Sequence, residues 1–178
     1  KSEVHVNAIT GSTGAGVKPG ATSHFSWRNG NISVYKAFQH QHLKEIGQSM
    51  RQLQPGFSHD INFIPVRGNF SRGIFVSTYT ECDLELEEVK KLYEDFYKDA
   101  AFTFVMDKNP DLKQVVNTNK GIVHLEKHAN IIQRQNTFCK SGKHQVGNLI
   151  SIVLLFDRIS NQPFLYIVAD HRACDAEV

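Results

Sequence analysis

The sequence predicts an α+β domain, a sheet with helices on one face, and three observations lead there. Short stretches rich in β-branched and aromatic residues recur along the chain. Two longer stretches carry apolar residues at three- and four-residue spacing, the period of a helix with one buried face. Glycine and proline mark several of the breaks between them.

The elements follow in order. Residues 4–9 (VHVNAI) alternate apolar with polar and read as a strand. Residues 10–20 (TGSTGAGVKPG) form a glycine-rich loop closed by a proline. Residues 32–38 (ISVYKAF) are short and extended. Leu43, Ile46, Met50 and Leu53 then recur at three, four and three residues, one stripe of a helix that ends near Pro55 and Gly56. Residues 61–66 (INFIPV) and 73–80 (GIFVSTYT) are strands separated by RGNFSR. A second helix spans 80–97. Its early acids Glu85, Glu87 and Glu88 suit the positive end of the helix dipole, and Leu86, Val89, Leu92, Tyr93 and Phe96 line one face. Residues 120–128 (KGIVHLEKH) form another strand, and 148–156 and 164–169 read as buried strands. No internal repeat or low-complexity linker interrupts the chain.

Composition narrows the function. The 178 residues suffice for one domain with a core, and 40% hydrophobic with 21% charged residues is the balance of a soluble globular protein. A net charge of +2 with no Lys/Arg block argues against nucleic acid or an anionic membrane as partner. No apolar run reaches the roughly 18 residues of a transmembrane helix. Cys82, Cys139 and Cys174 form no CxxC pair, which argues against a zinc ribbon or a disulfide framework. No signal peptide is present, so a reducing cytoplasm is the expected compartment. The chain begins at Lys1 and enters a strand almost at once, as a piece of a longer protein would.

The stretch YKAFQHQHLKEI (35–46) concentrates reactive side chains. With a helix beginning near Gln41, His40 falls three residues before Leu43, in line with the apolar stripe. Partial burial and the helix N-terminus both lower an imidazole pKa, and a neutral imidazole suits acid/base work. His42 and Glu45, three apart, are neighbours on one helix face. A metal shared by His40 and His42 requires His40 to lie in the preceding extended segment, and no third strong ligand is near in sequence. From this stretch alone, a structural histidine with an exposed companion is the stronger reading. GSTGAG (11–16) is similarly open: its amides can cradle an anion, or it is a tight turn using positive φ. It fails both the Walker A and the GxGxxG patterns.

Taken together, the pieces are far more specific. A strand ending in ITGSTGAGVKP, then YKAFQHQHLKEI, then INFIPVRGNFSRGIFVSTY closely resembles the C-terminal domain of the N-acetyl-γ-glutamyl-phosphate reductases, NADP-dependent enzymes of arginine biosynthesis. That family carries a Ser-Gly-Ala-Gly loop, a Tyr followed by His-Arg-His-x-x-Glu-Ile, and a proline-containing strand leading into Arg-Gly-Ile. Here the loop is one residue longer (Ser12-Thr13-Gly14-Ala15-Gly16), Gln41 replaces the arginine, and the third motif ends in Arg72-Gly73-Ile74. The resemblance covers about residues 4–127 and includes DLKQVVNTN (111–119).

The resemblance implies a fold shared with aspartate-semialdehyde and glyceraldehyde-phosphate dehydrogenases. There a Rossmann domain precedes an α+β domain whose mixed, largely antiparallel sheet helps form a homodimer or higher oligomer. The Rossmann half is absent from this chain, and with it the main NADP site. In the family reaction a cysteine attacks the acyl phosphate, phosphate leaves, and hydride from NADPH reduces the thioester to a semialdehyde. By resemblance His40 is the acid/base. Ser12, Gly14, Gly16 and Arg72 become candidates for binding phosphate or carboxylate, and Tyr35, His42 and Glu45 for orienting groups or contacting substrate. Arg67 is a weaker candidate, because its segment varies in the family. No metal is implied. The family nucleophile stands in an Asn-Pro-Gly-Cys context upstream of the first strand. Cys82, Cys139 and Cys174 lack that context, so no nucleophile is assigned.

Residues 1–127 are thus expected to form a substrate-binding and dimerisation domain, and 128–178 an unmatched segment that completes or replaces its end. The expected function is the substrate half of an NADP-dependent reductase acting on a small acyl phosphate, inactive as an isolated chain. The alternatives are a non-catalytic dimerisation remnant of that family and, more remotely, a metal-binding domain using His40, His42 and Glu45. The family's later segment Asp-Asn-Leu-x-Lys-Gly-Ala-x-Gly-Gln-Ala has no counterpart in 128–178, which points to a truncated or altered C-terminus such as a changed reading frame. Sequencing the coding DNA is expected to recover that glycine-rich motif in another frame; its absence from every frame overturns this origin.

Overall fold

The sheet is built outward from β1 (Val4–Thr10), which pairs in parallel with β3 (Ile61–Arg67) and antiparallel with β4 (Ile74–Glu81). The computed structural model describes residues 3–16, 18 and 20–138. β2 (Ser33–Val34) adds two residues to the outer edge of β3. β7 (Ile131–Phe138) lies antiparallel between β4 and β6 (Gly121–His128), and β5 (Thr103–Val105) closes the far edge in parallel with β6. The order is β2-β3-β1-β4-β7-β6-β5, a mixed sheet with four antiparallel and two parallel pairings.

Alternation decides which side of the sheet is covered. Val4, Val6 and Ala8 of β1 share a face with Phe63 of β3, Ile74 and Val76 of β4 and Phe138 of β7. On that face lies α2 (His42–Leu53), whose Ile46 and Met50 are fully buried. Val123 and Leu125 of β6 and Ile132 of β7 continue the same face and receive Val89 and Tyr93 of α3 (Leu86–Tyr97). Both long helices therefore cover one face, as the sequence predicts. A third, single-turn helix, α1 (Phe25–Arg28), lies in the segment between β1 and β2. The opposite face carries His5, Ile9, Ile64, Phe75 and Tyr79 on neighbouring strands. Among the described residues its main cover is at one end, where Leu112 and Val115 pack on Ile122.

Three elements differ from expectation. The extended stretch at 32–38 contributes only Ser33–Val34 to the sheet, because Lys36 and Phe38 turn to positive φ. The second helix begins at Leu86, later than predicted. β4 continues through Glu81, Cys82 N–H donates to the Asn130 carbonyl at 2.7 Å, and the Glu88 carboxylate accepts from Glu85 N–H at 2.9 Å to cap the helix. β7 falls in the segment that resembled nothing, and its polar run Gln133-Arg134-Gln135-Asn136 gives no strand signal. Arg134 is nevertheless buried. Its Nε donates to Asn136 Oδ1 at 2.6 Å, its Nη atoms reach the Tyr93 and Tyr97 hydroxyls, and its guanidinium lies 5.0 Å over the Tyr93 ring. Burial pushes the Tyr93 hydroxyl up to about 12, against the pull of the Arg134 cation. The strands expected at 148–156 and 164–169 lie outside the described residues, as do Cys139 and Cys174.

Ile46 anchors α2 to β1 and β3 at zero exposure. Ile46→Ala is expected to cost about 2–5 kcal/mol in chemical denaturation, since it removes the buried side chain and leaves a cavity. A loss below about 1 kcal/mol, the scale of an average substitution, would show that α2 is not held by this contact.

Candidate active site

β1 and β3 run parallel and end side by side at Thr10 and Arg67. The loop after β1 is locked against the turn between β3 and β4. Gly11, Ser12 and Thr13 donate their amides to Gly73, Phe70 and Ser71 at 2.9, 2.8 and 3.1 Å. Gly14 and Gly16 donate to Gly11 and Thr13 within the loop's own 3₁₀ turn, Ser12–Ala15. These amides are occupied by carbonyls and do not converge on an anion, so the geometry is that of the tight turn. Gly11 is required by close approach: a Cβ there would sit 2.6 Å from the Ser71 carbonyl oxygen. Gly14 and Gly16 are exposed, and Arg72 is exposed in the facing turn.

The histidine segment is pinned to the edge of β3. Tyr35 N–H donates to the Pro65 carbonyl at 3.1 Å and Phe38 N–H to the Phe63 carbonyl at 2.9 Å. His40 then precedes α2, and Leu43 N–H donates to its carbonyl at 3.0 Å. The His40 ring stands edge-on to Phe63 and Tyr35, at 5.3 and 5.7 Å between centroids, and 4.8 Å from His42. His40 Nδ1 accepts from His42 N–H at 3.3 Å. The neutral ring bonded this way carries its proton on Nε2, which has no hydrogen-bond partner among the described residues. His42 Nδ1 meets Glu45 Oε2 at 3.0 Å, the helix neighbours expected from their spacing.

Arg67 closes the cluster. Its guanidinium stacks on Tyr35, 4.7 Å from ring centroid to Cζ, and donates to the Ser12 carbonyl at 3.2 Å. The Tyr35 hydroxyl lies within the influence of Thr10 and the Arg67 cation. Burial pushes that hydroxyl's pKa up, although the adjacent cation draws it down. Burial, then the charges of His42, Lys36 and Arg67, hold His40 below the ordinary histidine value, so its ring is neutral at pH 7.

Of the residues singled out in the sequence, His40, His42, Glu45, Tyr35 and Ser12 meet in this cluster, with Arg67 at its centre. Gly14 and Gly16 shape the loop. Arg28 escaped notice entirely. It is buried, with Nε and Nη2 donating to the Thr22 carbonyl, Nη1 to the Asn31 and Arg67 carbonyls and Nη2 to Ser33 Oγ, and so ties the loop before β2 to the end of β3. No pattern in SWRNG distinguishes it from a surface arginine. Cys82 lies just beyond the far end of β4 from Ile74, roughly 25 Å away along the strand; it is buried and burial pushes its thiol up. Neither feature suits a nucleophile for this cluster.

Comparison with known proteins identifies the domain. The family model described as semialdehyde dehydrogenase, dimerisation domain, matches residues 1–138. The chain belongs to this family. It is 68% identical over 126 residues to N-acetyl-gamma-glutamyl-phosphate reductase of Parabacteroides distasonis, 71% of this chain and 39% of that protein. The protein of the same name from Azobacteroides pseudotrichonymphae is 65% identical over 130 residues, 73% and 40% of the two chains. This chain thus spans about two fifths of the length of these relatives. In fold it is similar to aspartate semialdehyde dehydrogenase II of Vibrio cholerae, with TM-score 0.60 and 13% identity over 90% of this chain and 56% of the other. The family model extends through β7, so the polar strand that resembled nothing in the sequence is within the match.

Among the described residues, the amides of Gly11, Ser12, Thr13, Gly14 and Gly16 are occupied by carbonyls, so this loop forms no cradle for a diphosphate. His40 is expected to titrate below 6.5 when its ring resonances are followed by NMR. Arg67→Gln, by removing a neighbouring cation, is expected to move the midpoint upward. A midpoint at or above 6.5 in the unsubstituted chain, or no movement in the variant, contradicts this electrostatic arrangement.

Proposed function

We propose that this dimerisation domain is the substrate-binding half of an N-acetyl-γ-glutamyl-phosphate reductase, which reduces an acyl phosphate to a semialdehyde with release of phosphate in arginine biosynthesis. One observation carries the reading: the half-buried, neutral His40 sits beside Arg67 and Tyr35 within a segment shared with relatives of that name. The nucleophilic thiol and the NADP site belong to parts of the protein beyond the described residues. NADPH supplies the hydride when bound there.

His40 has two tasks in this reading. It takes the thiol proton as the acyl group is captured, and it returns a proton to the oxygen of the reduced adduct. The proton returned is the one taken: the first task leaves an imidazolium, whose Nε2–H is the donor for the second. The first needs the neutral ring's proton on Nδ1, which means releasing the 3.3 Å bond from His42 N–H. Glu45 orients His42, and Tyr35 walls one side of the His40 ring. Arg72, exposed in the turn facing the glycine loop, is available to an incoming phosphate, while Ser12, Gly14 and Gly16 set the shape of that loop.

The partner is a second copy. The uncovered sheet face presents Ile9, Ile64, Phe75 and Tyr79, with Tyr79 stacked on His5 at 4.7 Å. A face of that composition in a domain of this family is the dimer interface. Among the described residues no helix is long and apolar enough to cross a membrane, and the proposed setting is the cytoplasm.

The test is a chimera in which the matching residues of the Parabacteroides distasonis reductase are replaced by those of this chain. The chimera is expected to reduce the acyl phosphate with NADPH, and His40→Ala to lower kcat/KM by roughly 100-fold or more. The 178-residue chain alone is expected to show no rate. Sedimentation of the chimera is expected to give a dimer that Phe75→Asp weakens. A folded, dimeric but inactive chimera supports the non-catalytic remnant instead. A monomer removes the proposed interface.

A further inference from the structure

The site holds two arginines of opposite character, and the contrast points to a ligand. Arg28 is buried, with donors on all three of its nitrogens directed to carbonyls or a hydroxyl of the surrounding loops. It is structural. Arg67 is half-buried, and among the described residues its side chain hydrogen-bonds only the Ser12 carbonyl and stacks on the Tyr35 ring. No Asp or Glu among them pairs with it, and the one carboxylate of the cluster, Glu45, is engaged by His42. A guanidinium has five donors in a rigid fork, so most of the Arg67 fork remains unfilled. Taking such a group partly out of water without a counter-charge is costly, which makes an arriving anion the natural partner.

Its mounting supports the same conclusion. Tyr35 stacks under the guanidinium plane at 4.7 Å and the Ser12 carbonyl holds one Nη. The Arg67 backbone is fixed in turn, by Arg28 Nη1 on its carbonyl at 2.8 Å and by β1 alongside. A long flexible side chain is therefore immobilised in advance, and little entropy is lost when a ligand binds. The same cation acts on His40 and Tyr35, so the fork lies within electrostatic reach of the proposed acid/base.

We propose that Arg67 binds an oxyanion of the substrate, with Tyr35 as the positioning residue that holds its fork in place. This deepens the reading of the site as that of an acyl-phosphate reductase and rests on it for the identity of the substrate. That substrate offers two oxyanions, the phosphoryl group and the carboxylate, and both match the fork.

The experiment has a binding arm and a kinetic arm. In the first, the 178-residue chain is titrated separately with inorganic phosphate and with N-acetylglutamate, which has carboxylates and no phosphate, and the Arg67 Nε–H and His40 ring resonances are followed. A saturable shift is expected for at least one anion, weakened roughly tenfold or more by Arg67→Gln and less by Arg67→Lys, both variants keeping the parent melting temperature within a few degrees. A response to phosphate alone assigns the phosphoryl group, and a response to N-acetylglutamate alone the carboxylate. No saturable response to either anion, or equal affinities in Arg67→Gln, overturns the proposal. In the second arm the reductase chimera is run in reverse, and Arg67→Gln is expected to raise KM for phosphate or for the semialdehyde with kcat changed far less. Unchanged KM values in an active chimera refute the role of Arg67 while leaving the reductase reading intact. A folded, dimeric but inactive chimera refutes the reductase reading, and the binding arm then decides for Arg67 alone.

Discussion

The site depends on a backbone splice between two loops. The amides of residues 11–13 bond to carbonyls of the turn that joins β3 to β4, and Thr13 Oγ1 adds a fourth bond to Ser71. Such a splice forms only where the strands before and after it are already adjacent, which the parallel pairing of β1 with β3 and the antiparallel pairing with β4 ensure. It presents the Ser12 carbonyl to Arg67, and it needs a glycine at position 11 because the facing carbonyl leaves no room for a Cβ. The glycine-rich signature is thus explained by backbone against backbone.

The helix periodicities were legible because they record one buried face each. The stripe through Ile46 and Met50 meets β1, and that through Val89 and Tyr93 meets β6. The pairing of His42 with Glu45 followed from helical spacing alone, and the half-burial of His40 from its place ahead of Leu43. Three things were not legible. β7 hides because its central buried positions are polar, with Arg134 bonded to Asn136 and to the tyrosines of α3. Arg28 and Arg67 look alike on paper, and only the hydrogen-bond partners separate a filled guanidinium from an unfilled one. The occupied amides of the glycine loop are fixed by a turn sixty residues away, a relation no local pattern contains.

The cluster is poor in negative charge. His40 is surrounded by an apolar ring, an aromatic hydroxyl and cations, and its proton is held loosely as a result. An anion seated on Arg67 would cancel part of that positive field and make His40 more basic. Substrate arrival and proton affinity are therefore linked: the imidazole is neutral while the site is empty and better able to take a proton once it is filled.

The position of β7 bears on how the sheet assembles. Among the described residues, the strands that carry the cluster, β1, β3 and β4, join those that carry α3's partners, β5 and β6, only through β7. In a chain emerging from its N-terminus, the outer edge of β4 stays without a neighbour until Phe138 has appeared. The hydrophobic strand IFVSTYTE is thus exposed as a pairing edge for the time needed to make more than fifty further residues. The antiparallel hairpin β7 forms with β6 lets it dock already paired on one side.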